Sequence, residues 1–250
     1  MIFNLNNKKI LITGASSGIG RASSILFSAL GAELYLTARN KEELNRTAET
    51  CKGKVEIFTS DLTKDDQIKN LIDSIGEISG WVHCAGKVLP VPVKFIQEKH
   101  LNEVFEINFH SAVKLTSALL RSNKLKNSSS VVFISSVSVL HSYFGGAPYI
   151  SSKSALEGYA KTMALELSSR KIRVNVLQPA LVKTEIFKQT IEAAQSQKDL
   201  NDYENSYPLG FGEPEDVAWA SAYLISNMSK WVTGTFIKMD GGLSLGQLNK

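Results

Sequence analysis

The chain has 250 residues, 43% of them hydrophobic and 21% charged, and a net charge of +4. This composition suits one globular α/β domain and excludes repeat and low-complexity chains. It offers no basic cluster with interleaved aromatic residues for nucleic acid and no apolar run near the ~18 residues of a membrane span.

The N-terminal residues lack the apolar core of a signal peptide. The two cysteines, Cys51 and Cys84, fit no metal, redox or disulfide spacing. We therefore expect reduced thiols that fill apolar space, no metal and a cytoplasmic protein. The mild positive charge suits an anionic cofactor or substrate.

The first predicted element is a buried strand, Ile10–Ile12, which leads through a glycine turn into a helix. The turn contains Gly14, Gly18 and Gly20, and Gly31 ends the helix as a C′ glycine. A helix N-terminus behind a glycine turn presents free N–H groups and lets an anion approach closely. The pattern favours a dinucleotide site over an ordinary tight turn.

The second predicted strand, 33–38, ends at Ala38 and is followed by Arg39. In a dinucleotide fold an acidic residue at this point binds the ribose 2′-hydroxyl. An arginine here can pair with a 2′-phosphate instead, which favours NADP(H) over NAD(H). The alternative is a solvated surface arginine. Secondary contacts are expected from Ser16, Ser17 and Asn40.

Strands and helices continue to alternate to the end of the chain. Further strands are predicted at 54–59, 81–86, 130–136, 173–177 and 235–239. Helices are predicted at about 41–51, 63–75 with Thr63 as N-cap, 97–121, 149–169 and 214–225. The helix 97–121 has a predicted buried stripe of Leu101, Val104, Phe105, Asn108, Ala112, Leu115 and Leu119. The alternation predicts one doubly wound, Rossmann-type domain: a parallel sheet of seven strands with helices on both faces.

Polar residues gather at the predicted carboxyl ends of the strands, where such folds bind ligands. The fifth strand ends at Ser135 and Ser136, and Tyr149 and Lys153 stand four residues apart on the next helix. That spacing places both side chains on one helix face. A tyrosine titrates near pH 10, and a neighbouring ammonium lowers its pKa toward the range useful for acid–base catalysis.

Together these motifs resemble the short-chain dehydrogenase/reductase family, and more closely its branch of 3-oxoacyl-carrier-protein reductases. The resemblance runs from about Lys8 to Gly242. Its motifs, in order, are T-G-A-S-S-G-I-G at 13–20, A-G at 85–86, Asn108, I-S-S at 134–136, Y-I-S-S-K at 149–153, R-V-N at 173–175, Pro179 with Thr184, and D-G-G at 240–242.

The resemblance implies a role for each catalytic candidate. Tyr149 would protonate the carbonyl oxygen, and Lys153 would lower the pKa of Tyr149 and hold the nicotinamide ribose. Ser136 would hydrogen-bond the substrate oxygen, with Ser135 structural, and Asn108 would hold a water that links Lys153 to solvent. The implied cofactor residues, besides Arg39, Tyr149 and Lys153, are Gly14, Ser16, Ser17, Gly18, Ile19, Gly20, Asp61, Leu62, Ala85, Gly86, Pro179, Val182 and Thr184. A homotetramer is also implied.

The sequence departs from the family pattern at two places. His83 and Cys84 precede Ala85-Gly86 where the family usually has asparagine, which puts the support of the central strand in doubt. Ala180 replaces the usual glycine after the proline, and its methyl group is expected to narrow the pocket near the nicotinamide.

Two other functions stay open. Gly14-x-Ser16-x-Gly18 spells the nucleophile elbow of a serine hydrolase, although only thirteen residues precede Gly14 to supply an oxyanion loop. A non-catalytic NADP(H)-binding sensor or scaffold on the same fold is the second alternative.

The substrate pocket is expected between the loop 89–95, the loop after Ser136 (Ser138, Leu140, His141) and a mobile helical flap at about 184–211. The flap contains apolar side chains at Ile186, Phe187, Ile191, Tyr203, Tyr207, Leu209 and Phe211. They either line the pocket or dock the flap on its own protein or on a neighbouring subunit. Lining residues of this kind predict a ketone with an apolar arm, such as a 3-oxoacyl thioester, rather than a sugar.

Overall fold

The computed structural model describes residues 3–185, 187 and 204–246, and strands alternate with helices along them. The strands are β1 Lys9–Thr13, β2 Glu33–Ala38, β3 Val55–Thr59, β4 Ile78–His83, β5 Leu125–Ile134, β6 Arg173–Pro179 and β7 Phe236–Met239. The helices are α1 Gly18–Ala29, α2 Lys41–Thr50, α3 Asp65–Ser74, α4 Glu98–Phe105, α5 Ser111–Arg121, α6 Ala147–Glu166 and α7 Pro214–Ile225. Within this described part, no helix is long and apolar enough to cross a membrane.

The seven strands form one sheet in the order β3-β2-β1-β4-β5-β6-β7, and every neighbouring pair is parallel. Successive side chains of a strand enter opposite layers of the core. Leu11 packs in the layer of α3, α5 and α6, whereas Ile10 and Ile12 pack in the layer of α1 and α7. The predicted fold class is therefore confirmed. The strand order reverses between β1 and β4, which is where such a sheet opens a ligand crevice.

Three strands differ in extent from their predictions because pairing continues past the apolar runs. β4 begins at Ile78 rather than at 81, since Gly80 already pairs with Ile10. A Cβ atom on Gly80 would lie 3.2 Å from Ile225 Cγ2, so the close packing of α7 on β4 favours glycine at this strand position. β5 begins at Leu125, ahead of the predicted 130, and ends just before the two serines. β6 continues to Pro179, which pairs with β7.

The predicted helix 97–121 is interrupted by a π-helical turn, Glu106–His110, between α4 and α5. Such a turn inserts one residue into the helical repeat. Val104 in α4, Asn108 and the stripe residues of α5 are fully buried, but Leu101 in α4 is 37% exposed. The prediction that Leu101 is buried was therefore wrong.

The expected N-cap Thr63 was also wrong, because α3 starts at Asp65 with Lys64 as its N-cap. The Asp61 carboxylate accepts hydrogen bonds from the Thr63 backbone N–H at 3.0 Å and from its hydroxyl at 2.8 Å. This Asx turn engages Thr63 and delays the helix by two residues.

Candidate active site

A cleft of about 260 Å³ lies at the carboxyl ends of β1, β2 and β4. Residues from the glycine turn, the end of β2 and the turn after β4 form most of its wall. The complete lining is Gly14, Ser16, Ser17, Gly18, Ile19, Gly20, Thr37, Ala38, Arg39, Asn40, Ser60, Leu62, Cys84, Ala85, Gly86, Ile107, Thr184 and Glu185.

The glycine turn brings its backbone against neighbouring chain segments. Gly14 has φ +67°, and a Cβ atom there would lie 2.8 Å from the Ala85 nitrogen. Gly18 has φ +47°, and its Cβ would lie 3.0 Å from Thr184 Cγ2. The N-cap of α1, Ser17, makes no side-chain capping hydrogen bond. First-turn N–H groups therefore remain for an anion, which fits the phosphates of a dinucleotide.

The end of β2 offers polar groups that fit the adenosine end of such a cofactor. Thr37 belongs to the cleft wall, and its buried hydroxyl has no hydrogen-bond partner among the described residues. Arg39 is exposed, and its charge helps to lower the pKa of Asp61; burial opposes this decrease, and hydrogen bonds from Thr63 add to it. The Asn40 side chain caps α2 by accepting from the Glu43 N–H at 3.1 Å.

The structure brings most of the predicted cofactor residues together. Eleven of them line the cleft: Gly14, Ser16, Ser17, Gly18, Ile19, Gly20, Arg39, Leu62, Ala85, Gly86 and Thr184. Asp61, Tyr149, Lys153, Pro179 and Val182 are not in the lining, and Val182 instead forms a backbone bridge to Gly212. The cofactor roles of all these residues stay predictions. Ala180 is also outside the lining, and the expected effect of its methyl group near the nicotinamide stays a prediction.

His83 supports the turn after β4 despite its departure from the family pattern. Its Nδ1 lies 2.9 Å from Thr13 Oγ1, the residue opposite it on β1. Burial lowers the pKa of His83 to about 3, and the Lys153 charge contributes, so the ring is neutral. A neutral ring can hydrogen-bond the threonine hydroxyl. His83 thus ties β1 to β4 directly beneath the glycine turn.

Ser136 and Tyr149 meet beyond the end of β5. Ser136 follows the strand, and Tyr149 stands in the first turns of α6, where Pro148 fits because the first turn needs no N–H partner. The Ser136 hydroxyl lies near the Tyr149 phenol. Burial raises the pKa of Tyr149, and the nearby Ser136 hydroxyl opposes the rise only in part. The expected lowering of that pKa is therefore wrong for the protein alone, and the phenol keeps its proton at neutral pH.

Lys153 is buried one helical turn after Tyr149. Its Nζ donates to the Ile134 carbonyl at 2.7 Å and lies 5.7 Å from the Tyr149 ring centroid. Burial lowers the pKa of Lys153 to about 8, although the neighbouring Cys84 and Glu157 act to raise it. Lys153 is thus a cation at pH 7 that is readily deprotonated in mild alkali.

Glu157 lies on the other side of this cluster, and no sequence motif had indicated it. Its Oε1 accepts from the Ser135 hydroxyl at 2.6 Å and from Gln178 Nε2 at 2.8 Å. The carboxylate joins the ends of β5 and β6 to α6, and its charge favours the ammonium form of Lys153. The Ser135 hydroxyl is therefore committed to Glu157, whereas that of Ser136 faces Tyr149.

Asn108 is fully buried in the π-helical turn. Its side chain accepts from the Lys87 N–H at 2.7 Å and donates to the Lys87 carbonyl at 3.0 Å and to the Ser152 hydroxyl at 2.9 Å. It therefore fixes the segment after Gly86 against α6. A Cβ atom on Gly86 would lie 3.3 Å from Asn108 Oδ1 and 3.4 Å from Lys153 Nζ, so Asn108 and Lys153 flank the same glycine.

The predicted flap is described only in part, since Ile186, Ile191 and Tyr203 lie outside the described residues. Tyr207 and Phe211 are buried, and the Phe211 ring packs against those of Phe187 and Tyr207, with centroids 5.1 and 5.0 Å apart. For these three side chains, docking on their own protein is what the structure shows. Other apolar side chains around the expected pocket are exposed: Val93, Phe95, Leu140, Phe144 and Leu209.

Comparisons with known proteins agree with this arrangement. Residues 14–244 match a protein-family model described as enoyl-(acyl carrier protein) reductase. The chain is 33% identical over 247 residues to a 3-oxoacyl-(acyl-carrier-protein) reductase of Thermotoga maritima, covering 96% of this chain and 98% of the relative. It is 31% identical to carbonyl reductase family member 4 of Danio rerio, covering 94% and 97%. A solved short-chain type dehydrogenase/reductase from Mycobacterium ulcerans superposes with a TM-score of 0.86 at 26% identity, covering 98% and 92%.

Proposed function

Because the chain belongs to the short-chain dehydrogenase/reductase family, we propose that it is an NADP(H)-dependent oxidoreductase that reduces a ketone, with Tyr149 as the general acid. The observation that carries the proposal is that the Ser136 hydroxyl lies near the Tyr149 phenol, one helical turn from Lys153. Two neighbouring hydroxyl groups are suited to hold and protonate one carbonyl oxygen.

The bound nicotinamide would supply the hydride that reduces the carbonyl carbon. Ser136 and Tyr149 both face the position where negative charge develops on the carbonyl oxygen, and Tyr149 gives up its proton there. The Lys153 ammonium stabilises the phenolate that remains. The raised pKa of Tyr149 suits this direction, because a proton donor must hold its proton at the working pH.

The preference for NADP(H) rests on the absence of an acid after β2 and on the exposed guanidinium of Arg39 at the cleft. One first-turn carboxylate of α2, Glu43, pairs with Arg21 at 2.6 Å and with Arg46 at 2.5 Å. Its charge is therefore balanced and does not repel a 2′-phosphate. Asn40 lines the cleft beside Arg39.

Arg39→Ala is expected to weaken NADPH binding by roughly 10- to 150-fold, the equivalent of losing one charged hydrogen bond. NADH binding is expected to change less than about twofold, because NADH has no 2′-phosphate. Fluorescence titration of both cofactors measures the two effects. Arg121→Ala is the matched control, since Arg121 is an exposed arginine at the end of α5 outside the cleft lining, and it should leave both affinities near wild type. Tighter binding of NADH than NADPH by the wild-type enzyme would contradict the proposal.

The proposed substrate is a 3-oxoacyl thioester or a similar ketone with an apolar arm. The exposed apolar side chains of the loops that flank Tyr149 support this class, because the hydroxyls of a sugar would need polar partners. The named activities of the Thermotoga maritima and Danio rerio relatives are consistent with a carbonyl substrate.

NADPH oxidation across a panel of acetoacetyl thioesters, cyclic and aryl ketones, keto sugars and 2-enoyl thioesters tests this assignment. The thioester and apolar ketones are expected to have the highest kcat/KM. Preference for keto sugars would contradict the proposal that the substrate has an apolar arm. Preference for enoyl thioesters would contradict the proposal that the enzyme reduces a carbonyl group. Tight NADPH binding with no turnover of any compound would favour the sensor or scaffold instead.

A serine hydrolase remains the weaker alternative. Ser16 lies in the glycine turn, and no histidine hydrogen-bonds its hydroxyl within the described ranges.

The assembly that we propose is a homotetramer. The exposed aromatic side chains Trp219, Tyr223 and Trp231 support this assembly, because they offer a contact surface for another subunit. A monomer mass in light scattering would contradict that assembly.

A further inference from the structure

We propose that Ser138 is a positioning residue that holds the Ser136 hydroxyl as a hydrogen-bond donor toward the substrate oxygen. The inference rests on the proposed function, in which Ser136 binds that oxygen. It concerns the hydroxyl of Ser138, two residues beyond Ser136, which was expected only as part of the substrate-pocket wall.

Ser138 contacts Ser136 through two donors. Its hydroxyl donates to Ser136 Oγ at 2.9 Å, and its backbone N–H donates to the same atom at 3.2 Å. Both bonds form because Ser136 caps the short 3₁₀ turn Val137–Val139 from an extended conformation, with φ −159° and ψ 148°. These two hydrogen bonds from Ser138 thereby fix the position of the Ser136 side chain.

A serine hydroxyl has one proton to donate and two lone pairs that accept. Ser138 occupies both lone pairs of Ser136 Oγ, so the single proton of Ser136 is left for the side where the Tyr149 phenol lies. Without the Ser138 hydroxyl, one lone pair of Ser136 Oγ is free, and the Ser136 hydroxyl can rotate or accept a hydrogen bond from the Tyr149 phenol. Removing the Ser138 hydroxyl would therefore reduce the fraction of enzyme in which the Ser136 and Tyr149 hydroxyls both donate to the carbonyl oxygen.

The Ser138 hydroxyl is not needed to form the turn itself. The backbone bonds Val139 N–H to Ser136 C=O at 3.2 Å and Leu140 N–H to Val137 C=O at 2.8 Å already close it. Ser138 is 7% exposed, and in the described part of the chain its hydroxyl has Ser136 as its partner. Burying a hydroxyl costs free energy unless it is hydrogen-bonded, so its position is explained by the bond to Ser136.

The test is a double-mutant cycle with Ser138→Ala, Ser136→Ala and the double variant. Ser138→Ala is expected to lower kcat for ketone reduction by about five- to tenfold, with the NADPH Kd and the ketone KM within about twofold of wild type. The double variant is expected to be no slower than Ser136→Ala, since Ser138 acts only through Ser136. Ser154→Ala, an exposed serine of α6, is the matched control and should keep the wild-type kcat.

An unchanged kcat in Ser138→Ala, or losses that multiply in the double variant, would overturn the inference while leaving the proposed reductase intact. An unchanged kcat in Ser136→Ala would overturn the role of Ser136, and this inference with it. If Ser138→Ala does not fold, Ser138→Cys keeps the size of the side chain with a weak S–H donor and is expected to show a similar fall in kcat.

Discussion

Tyr149→Phe is expected to lower kcat by roughly 10²- to 10⁴-fold while NADPH affinity stays within about twofold of wild type. The substitution removes the phenol proton and keeps the ring. Burial raises the pKa of Tyr149, so the wild-type phenol is protonated at neutral pH and its loss removes the donor itself. Steady-state kinetics with the best ketone of the panel and fluorescence titration with NADPH measure the two quantities separately.

Tyr143→Phe is the matched control for this prediction. Tyr143 lies close enough to Tyr149 to raise its pKa, yet it is 41% exposed, whereas Tyr149 faces Ser136 beside the buried Lys153. The same atom is removed in both variants, but Tyr143→Phe should keep most of the wild-type kcat. A Tyr149→Phe enzyme that retained more than a few per cent of the wild-type rate would show that Tyr149 is not the acid.

The order of elements and the meeting of Ser136 with Tyr149 could be predicted from sequence because both follow from local rules. A strand that ends in serines and a Tyr-x-x-x-Lys helix have fixed geometry once the sheet is parallel. The glycine turn is equally local, since Gly14 and Gly18 adopt positive φ angles that other residues avoid. Such features need no knowledge of distant contacts.

The features that could not be predicted depend on contacts between segments far apart in the chain. The bond between His83 and Thr13 forms only when β1 and β4 lie side by side, and Glu157 meets Gln178 only when α6 covers β6. The π-helical turn at 106–110 has no simple apolar signature, and the stripe did not reveal that Leu101 is exposed while Val104 in the same helix is buried. Proximity of Lys153 and Tyr149 was predictable, but the balance of burial and charge that sets their pKa values was not.

Lys153→Met is expected to abolish ketone reduction and to make the folded protein more stable at pH 7. Lys153 is 4% exposed, and burial lowers its pKa from 10.5 to about 8. That difference corresponds to roughly 3 kcal/mol by which folding disfavours the ammonium. Methionine has a similar length and no charge, but it loses the hydrogen bond to the Ile134 carbonyl, worth about 1 kcal/mol. We therefore expect the free energy of unfolding at pH 7 to rise by roughly 2 kcal/mol.

The pH dependence of this gain follows from the protonation of each state. Below about pH 8 both folded and unfolded wild-type chains carry the Lys153 proton, and the cost of burying the charge is complete. Between about pH 8 and 10.5 the folded protein has released a proton that the unfolded chain still holds, so wild-type stability rises with pH. The gain in the free energy of unfolding from Lys153→Met should therefore be largest at pH 7 and shrink toward pH 10.

Urea unfolding of wild type and Lys153→Met at pH 7 and pH 10 measures this gain. Lys99→Met, at an exposed lysine of α4, is the control and should show no such dependence. If Lys153→Met were less stable than wild type at pH 7, the hydrogen bonds of the ammonium would stabilise the folded state by more than its burial costs, and the prediction would be wrong.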